Sequence, residues 1–127
     1  SSRISFQQKT SLVRAFDTQN NQYMVNIPAD RFEYLVRYAF KKNNAYVSGG
    51  VTQVSKQKRV EKGSDYAEPP AGYFLVNLNW GVKMRRFDVN LRVSNALNAA
   101  YRDYLNRFRY YADDQGRNVS LKVSYSI

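Results

Sequence analysis

The sequence predicts an all-β fold, an antiparallel up-and-down transmembrane β-barrel to which residues 1–127 contribute about six strands. Three observations predict it. Apolar and polar residues alternate with period two over several long stretches, as in strands with one greasy and one wet face. Those stretches are long enough for the roughly 9–11 residues that cross a bilayer at a tilt. The connections alternate long, short, long, short, long, which gathers every long loop at one end of an up-and-down sheet, as in outer-membrane barrels.

The strands follow in order. Arg3 to Asp17 places Ile4, Phe6, Thr10, Leu12 and Phe16 on one parity and reads as a long, imperfect strand. Asp17 to Asp30 is a loop by its Asn and Pro content. Arg31 to Phe40 sets Phe32, Tyr34, Val36, Tyr38 and Phe40 against Glu33, Arg37 and Ala39. Lys41 to Asn44 is a short turn, and Ala45 to Lys56 the next strand. Its faces cannot be assigned from the pattern, and Gly49-Gly50 marks a bend or bulge. Gln57 to Gly72 is a long charged loop closed by Pro69-Pro70. Tyr73 to Met84 sets Phe74, Val76, Leu78, Trp80 and Val82 against Asn77, Asn79 and Lys83. After the turn at Arg85-Arg86, Phe87, Val89, Leu91 and Val93 oppose Asp88, Asn90, Arg92 and Ser94. A long loop from Leu97 to Gln115 leads to a final strand carrying Val119, Leu121, Val123, Tyr125 and Ile127 on one face.

Composition sets further bounds. The chain has no Cys and no His, which removes thiolate metal sites, the commonest metal ligand and the commonest general base. No catalytic residue, resident metal or cofactor is expected; Asp113-Asp114 reads as solvated loop charge. The net charge of +10 makes polyanions natural partners, whether nucleic acid or lipid phosphates. Tyr, with 11 copies against 1 Trp, suits boundaries between oil and water. No apolar run approaches a membrane-spanning helix of roughly 20 residues. The negative mean hydropathy of −0.63 is compatible with a barrel, whose strands hide hydrophobicity in alternation. The sequence shows no signal peptide and does not start with Met, as expected of a processed product or a piece of something longer. Aromatics near strand ends, among them Phe32, Phe40, Phe74, Trp80, Phe87 and Tyr125, have the placement of interfacial girdles. A soluble sheet with one buried face shares the alternation, and loop asymmetry and strand length favour the barrel. Six strands cannot close a lipid-facing barrel, for which eight is the usual minimum. Several copies must therefore assemble, or these are strands of a larger barrel; a chain that starts inside a strand pattern favours the second.

Three stretches carry a family resemblance: N-I-P-A-D-R (Asn26 to Arg31), P-P-A-G-Y-F-L-V-N-L-N (Pro69 to Asn79) and N-A-L-N-A-A-Y-R-D-Y-L-N-R-F-R-Y-Y-A-D-D-Q-G-R-N (Asn95 to Asn118). The chain resembles the C-terminal part of the TonB-dependent outer-membrane receptors, in particular the siderophore and metal-chelate type of Bacteroidota-like bacteria. The resemblance implies a 22-strand barrel blocked by an N-terminal plug that lies outside this sequence. It implies a ligand held by outer loops and plug, and energy coupling by the TonB complex from the periplasm. These residues then correspond to strands 17 to 22, with the C-terminus periplasmic. The family ends on an aromatic residue read by the barrel-assembly machinery; Ile127 departs from that, with Tyr125 two residues earlier.

Candidate residues follow from type and position. Arg107, Arg109, Tyr110 and Tyr111 offer cationic and aromatic contacts to an anionic or aromatic chelate. The competing reading has Arg107, Arg109, Asp113 and Arg117 tie the loop together as ion pairs. Gly116 serves a turn. Arg14, Lys56, Lys58 and Arg59, at outer strand ends, meet lipopolysaccharide phosphates or are merely solvated. Asn77, Asn79, Asn90, Arg92, Ser94 and Lys122 line the lumen and hydrogen-bond the plug. Two other function classes remain open: a soluble basic β-module that stacks nucleic-acid bases on Tyr and Phe, and a non-transporting barrel subunit of a larger outer-membrane assembly. Against nucleic acid, the aromatics share faces with Val and Leu, and the basic residues are spread over both ends of the sheet.

Overall fold

The structure, a computed structural model, describes residues 3–41 and 44–126. Among these residues eight strands occur in chain order: β1 (Ile4–Ser11), β2 (Phe16–Asp17), β3 (Gln22–Tyr23), β4 (Arg31–Phe40), β5 (Ala45–Val54), β6 (Tyr73–Met84), β7 (Phe87–Ser94) and β8 (Asn118–Tyr125). One 3-10 turn spans Arg107–Tyr110. Six strands form one antiparallel sheet in the order β1-β4-β5-β6-β7-β8, and β2-β3 form a separate small hairpin. All long connections (12–30, 55–72 and 95–117) lie at one end of the sheet, as their alternation with short turns requires. The sheet is open, with β1 and β8 at its edges.

Strands β4, β6 and β7 keep the bounds read from the sequence. The long first strand does not hold. It breaks after Ser11, and Phe16 and Asp17 turn into the β2-β3 hairpin, closed by Phe16 against Tyr23 with ring centroids 5.3 Å apart. The hairpin lies partly in the stretch expected to be loop. The Asp17 carboxylate accepts from the backbone N–H groups of Gln19 and Asn20, and Asn21 takes φ 51°. Asn tolerates that left-handed conformation better than most residues. Lys42, Asn43 and Ile127 lie outside the described residues, so the terminal Ile and part of the Lys41–Asn44 turn are not placed.

Pairing across the sheet runs without a slip. Phe6 pairs with Val36, Val36 with Gly49, Gly49 with Leu78, Leu78 with Val93, and Val93 with Val119. The next row on that face is Ile4, Tyr38, Val47, Trp80, Leu91 and Leu121. Among the described strand residues, no Asp, Glu, Lys or Arg stands on this face. The opposite face carries Arg37, Ser48, Asn79, Arg92 and Ser120 in one row, and Ala39, Tyr46, Gly81, Asn90 and Lys122 in the next. Register also settles the faces of β5: Val47, Gly49 and Val51 lie on the apolar side, Tyr46, Ser48 and Thr52 on the polar side.

Burial is the reverse of that in a water-soluble domain. Phe6 is 64% exposed and Leu121 66%, whereas Ser48, Thr52, Gln57, Asn95 and Arg109 are buried. Soluble proteins rarely expose a contiguous apolar surface of this kind. Phe74 and Met84 bracket the apolar face of β6, ten residues apart. That is about 34 Å along a strand, or about 26 Å along a normal tilted by about 40°, close to the apolar band of an outer-membrane barrel.

The Gly49-Gly50 pair makes no bulge; both residues keep their partners on either side. A different glycine has the tighter packing role. A Cβ at Gly81 would sit 2.4 Å from the ring of Tyr46, which lies across it from β5. The Tyr46 hydroxyl accepts from Asn90 Nδ2 at 2.6 Å, and the Arg37 guanidinium stacks on the ring at 3.7 Å. Four strands, β4 to β7, thus meet through one tyrosine laid over a glycine. Gly81→Ala should cost about 1–3 kcal/mol by overpacking, read as a lower unfolding midpoint. In a Tyr46→Ala background the same change should cost close to nothing, a non-additivity that a double-mutant cycle detects.

Candidate functional site

The long loops at one end of the sheet hold most of the buried residues, and each of the three sequence stretches above contributes to them. In the first, Asp30 gathers two arginines. Arg14 donates to both of its oxygens (2.6 and 3.1 Å), and Arg59 donates at 2.9 Å. The Arg14 hydrogen bond does most to hold the Asp30 carboxyl below the ordinary carboxylate range. Buried Gln57 donates to the carbonyls of Ile27 and Pro28 and accepts from the N–H of Arg59, stitching this loop to the next. In the second stretch, Gly72 lies against the end of β5, where a Cβ would meet the Val54 carbonyl oxygen at 2.7 Å.

The third stretch opens on N-A-L-N, and the structure gives both asparagines a reason. Asn95 and Asn98 have φ of 48° and 54°, the left-handed region that asparagine tolerates. Asn95, 3% exposed, donates from Nδ2 to the carbonyls of Ala99 and Gln115, while its Oδ1 accepts from the Ala99 N–H. Its own N–H donates to Asn77 Oδ1 at 3.1 Å. The Asn98 side chain accepts from the Arg117 N–H at 2.9 Å, and a Cβ at Gly116 would approach its oxygen to 2.9 Å. Gly116 is therefore needed for close approach; it has no positive φ and lies outside any turn.

Farther along, this loop lies over the polar-face end of the strands. Tyr73 stacks on Tyr101 with centroids 4.5 Å apart, and its hydroxyl donates to Asp103 at 2.6 Å. Asp114 accepts from the Asp103 N–H and from Asn106 Nδ2, so it is a tied loop carboxylate rather than a solvated one. Asn106 also caps the 3-10 turn by accepting from the Phe108 N–H. Asp113 pairs with Arg102 at 2.6 Å.

That turn delivers Arg109 into a latch between the two loops. The Arg109 side chain is 4% exposed and pairs with Asp65 of the 55–72 loop. It packs over the rings of Tyr104 and Tyr110 at 4.4 and 4.6 Å. The Tyr110 hydroxyl donates to the other oxygen of Asp65. Burial pushes the Asp65 carboxyl up, but the bonds from Tyr110 and the Tyr66 N–H and the charge of Arg109 outweigh it and hold it low. Donation to Asp65 in turn pushes the Tyr110 hydroxyl up.

Between the latched loops lies a groove of about 540 Å³ whose lining includes Tyr66, Tyr73, Tyr101, Arg102, Tyr110 and Tyr111. Tyr66 and Tyr111 are almost wholly exposed at its rim. The lining offers aromatic faces, one accessible guanidinium and the carboxylates of Glu68 and Asp113. Such a set suits an organic ligand with planar and anionic parts.

The structure separates the residues singled out from the sequence. Arg109, Tyr110 and Tyr111 line the groove, and Arg107 does not. The Arg109 guanidinium is taken up by Asp65, in another loop from the one expected to bind it, and Asp113 pairs with Arg102 instead of Arg107, Arg109 or Arg117. Among the described residues, Arg107 and Arg117 make no ion pair. Of the four basic residues at the loop end, Arg14 and Arg59 are spent on Asp30, Lys56 reaches Glu68 at 3.9 Å, and Lys58 is exposed. Asn77, Asn79, Asn90, Arg92 and Lys122 share the polar face by register, with Arg92 donating to Asn79 at 2.9 Å. Tyr66, Tyr101, Arg102 and Asp65 were not anticipated; each lies in a loop where no periodicity points to a face.

No protein-family model matches the chain, and neither does any curated protein. Among solved structures it is similar to one described as "Copper transporter OprC", with a TM-score of 0.87 over 100% of this chain. Sequence identity is 16%, and the match covers 21% of that protein. The chain thus has the fold of about a fifth of a much longer transporter.

The latch sets a pH dependence. The Asp65 carboxyl lies below its unfolded value of about 3.9. Its contribution is therefore complete above that value and is lost as pH falls through the lower, folded one. Spin labels at Ser64→Cys and Leu105→Cys should report a fixed distance at neutral pH that broadens below about pH 3.9. Asp65→Asn should broaden it at neutral pH, because Arg109 is left buried without its partner charge, at a cost of about 3 kcal/mol.

Proposed function

We propose that the chain is the C-terminal portion of the barrel of a TonB-dependent outer-membrane receptor that imports a metal chelate, with a ferric siderophore the leading candidate. One observation carries the reading: a charge-free apolar face, uncovered across six paired strands, backs onto a polar face, with every long loop at one end. Lipid satisfies the first face and an aqueous lumen the second. The likeness to a segment of a copper transporter supports a transporter barrel.

In this reading residues 1–127 are one stretch of a 22-strand barrel domain, strands 17 to 22. The long loops face outward, and the C-terminus faces the periplasm. The plug and the TonB complex act through other parts of the protein, and the edges of β1 and β8 pair with further barrel strands. Lipopolysaccharide surrounds the loop end, where Lys58 is the best placed of the four outer basic residues to meet its phosphates. The groove between the latched loops contacts the ligand through Tyr66, Tyr110, Tyr111 and Arg102, while Arg109 positions them. With neither imidazole nor thiolate in these residues, the loops offer aromatic and guanidinium contacts to an organic chelate rather than ligands to a bare ion.

Uptake tests this. A strain lacking the protein should lose energy-dependent import of a chelated metal from a panel of labelled siderophore and copper complexes. Tyr111→Ala, at an exposed rim position, should weaken binding of that chelate by about tenfold, the equivalent of about 1.4 kcal/mol, without lowering the amount of protein in the membrane. Undiminished import across the panel, or a protein that stays monodisperse without detergent, contradicts the reading.

A further inference from the structure

The polar face is not evenly charged. In the half nearer the short turns, register places Arg37 on β4, Lys83 on β6, Arg92 on β7 and Lys122 on β8 on this one face. Among the described strand residues there, the single carboxylate is Asp88, paired in register with Lys83. All four cations are exposed, and none makes an ion pair among the described residues. In the half nearer the loops, by contrast, Arg31 is paired with Glu33 at 2.7 Å.

The cationic half is also held in shape. Arg37 lies flat on Tyr46, Tyr46 lies over Gly81 and is bonded to Asn90, and Arg92 is bonded to Asn79. A depression of about 520 Å³ runs between Tyr46, Asp88, Asn90, Arg92 and Lys122. From β4 to β8 the charges span four strand spacings, about 19 Å. One small anion cannot meet them all, whereas an extended surface bearing several carboxylates can. Guanidinium and ammonium groups left without counter-charge on a lumen wall favour such a partner and disfavour a basic one.

We infer that this half of the polar face docks an acidic polypeptide surface, namely a carboxylate-rich part of the plug in the longer receptor. The inference rests on the receptor reading and adds to it the sign of the charge that the plug presents to β7 and β8. The contact is polar and exposed to water, so it holds the plug in register without the hydrophobic burial that would make it immovable.

A carbodiimide, which joins an amine to a carboxylate only where the two already touch, tests it in the intact receptor in outer-membrane vesicles. Mass spectrometry should find Lys122 joined to an Asp or Glu outside residues 1–127. That link should disappear in Lys122→Gln and in vesicles at high salt. If the receptor has a plug but Lys122 stays unlinked or joins only Asp88, the inference is overturned and the receptor reading stands. If the native polypeptide contains no sequence beyond these residues, both are overturned.

Discussion

Six paired strands put every charged strand side chain on one face and leave the other face apolar and uncovered. Period-two geometry offers no intermediate state, because a slip of one residue would exchange the two faces entirely. The loops fold over the polar side, so nothing among the described residues shields Ile4, Phe6, Leu78, Trp80 or Leu121 from solvent. The free-energy cost of an apolar face of this extent in water, about 25 cal/mol for each Å², falls on whatever surrounds the sheet. In the proposed barrel, lipid would remove that cost without asking the chain for a hydrophobic core. Among the described residues there is almost no such core: the buried apolar ones are Ala29, Val54 and Tyr104, all near the loop end.

Order at the loop end comes from polar groups instead. Asp30, Gln57, Asn95, Asp114 and the Asp65–Arg109–Tyr110 latch each collect several hydrogen bonds, and most of them join segments far apart in sequence. Buried or half-buried polar networks are stable only when their members find partners, which makes them specific about geometry. Two long loops that would otherwise move independently become one framed groove. The exposed rings of Tyr66 and Tyr111 remain free at its rim, and Arg109 of the latch is withdrawn from solvent. Holding and contacting are thereby divided between neighbouring residues, Arg109 and Tyr111 standing two apart.

Strands were legible wherever alternation was unbroken. In β7 the apolar residues fall on one parity with no exception, and in β4 and β6 the alternation is strong enough to carry Leu35 and Leu75 on the other face, and the bounds followed. Small and mixed residues obscured β5: Ala45, Tyr46, Gly49 and Gly50 carry too little contrast to reveal a face, and its neighbours supply the register. The first strand was overextended because Leu12 and Phe16 continue its parity, although Asp17 to Asn21 held the turn signal of a hairpin. The loop site was legible in part. Tyr110 and Tyr111 line the groove, but an arginine that contacts a ligand and one that is buried in a latch look alike in sequence. The deciding partner, Asp65, is 44 residues away in a segment without periodicity. The N-A-L-N motif was visible as a string, and its cause, two left-handed asparagines, is a backbone property that only coordinates display.

The most direct test of a lipid-facing sheet is a nitroxide scan along β8 in reconstituted membranes, with single cysteines placed from 119 to 124. Labels at 119, 121 and 123 should collide with oxygen, which concentrates in the bilayer, and labels at 120, 122 and 124 with a water-soluble nickel complex. A period of two with opposite phases for the two reagents is the predicted result. Labels at 119, 121 and 123 that are shielded from both reagents would instead place a protein against the apolar face, contradicting the membrane barrel.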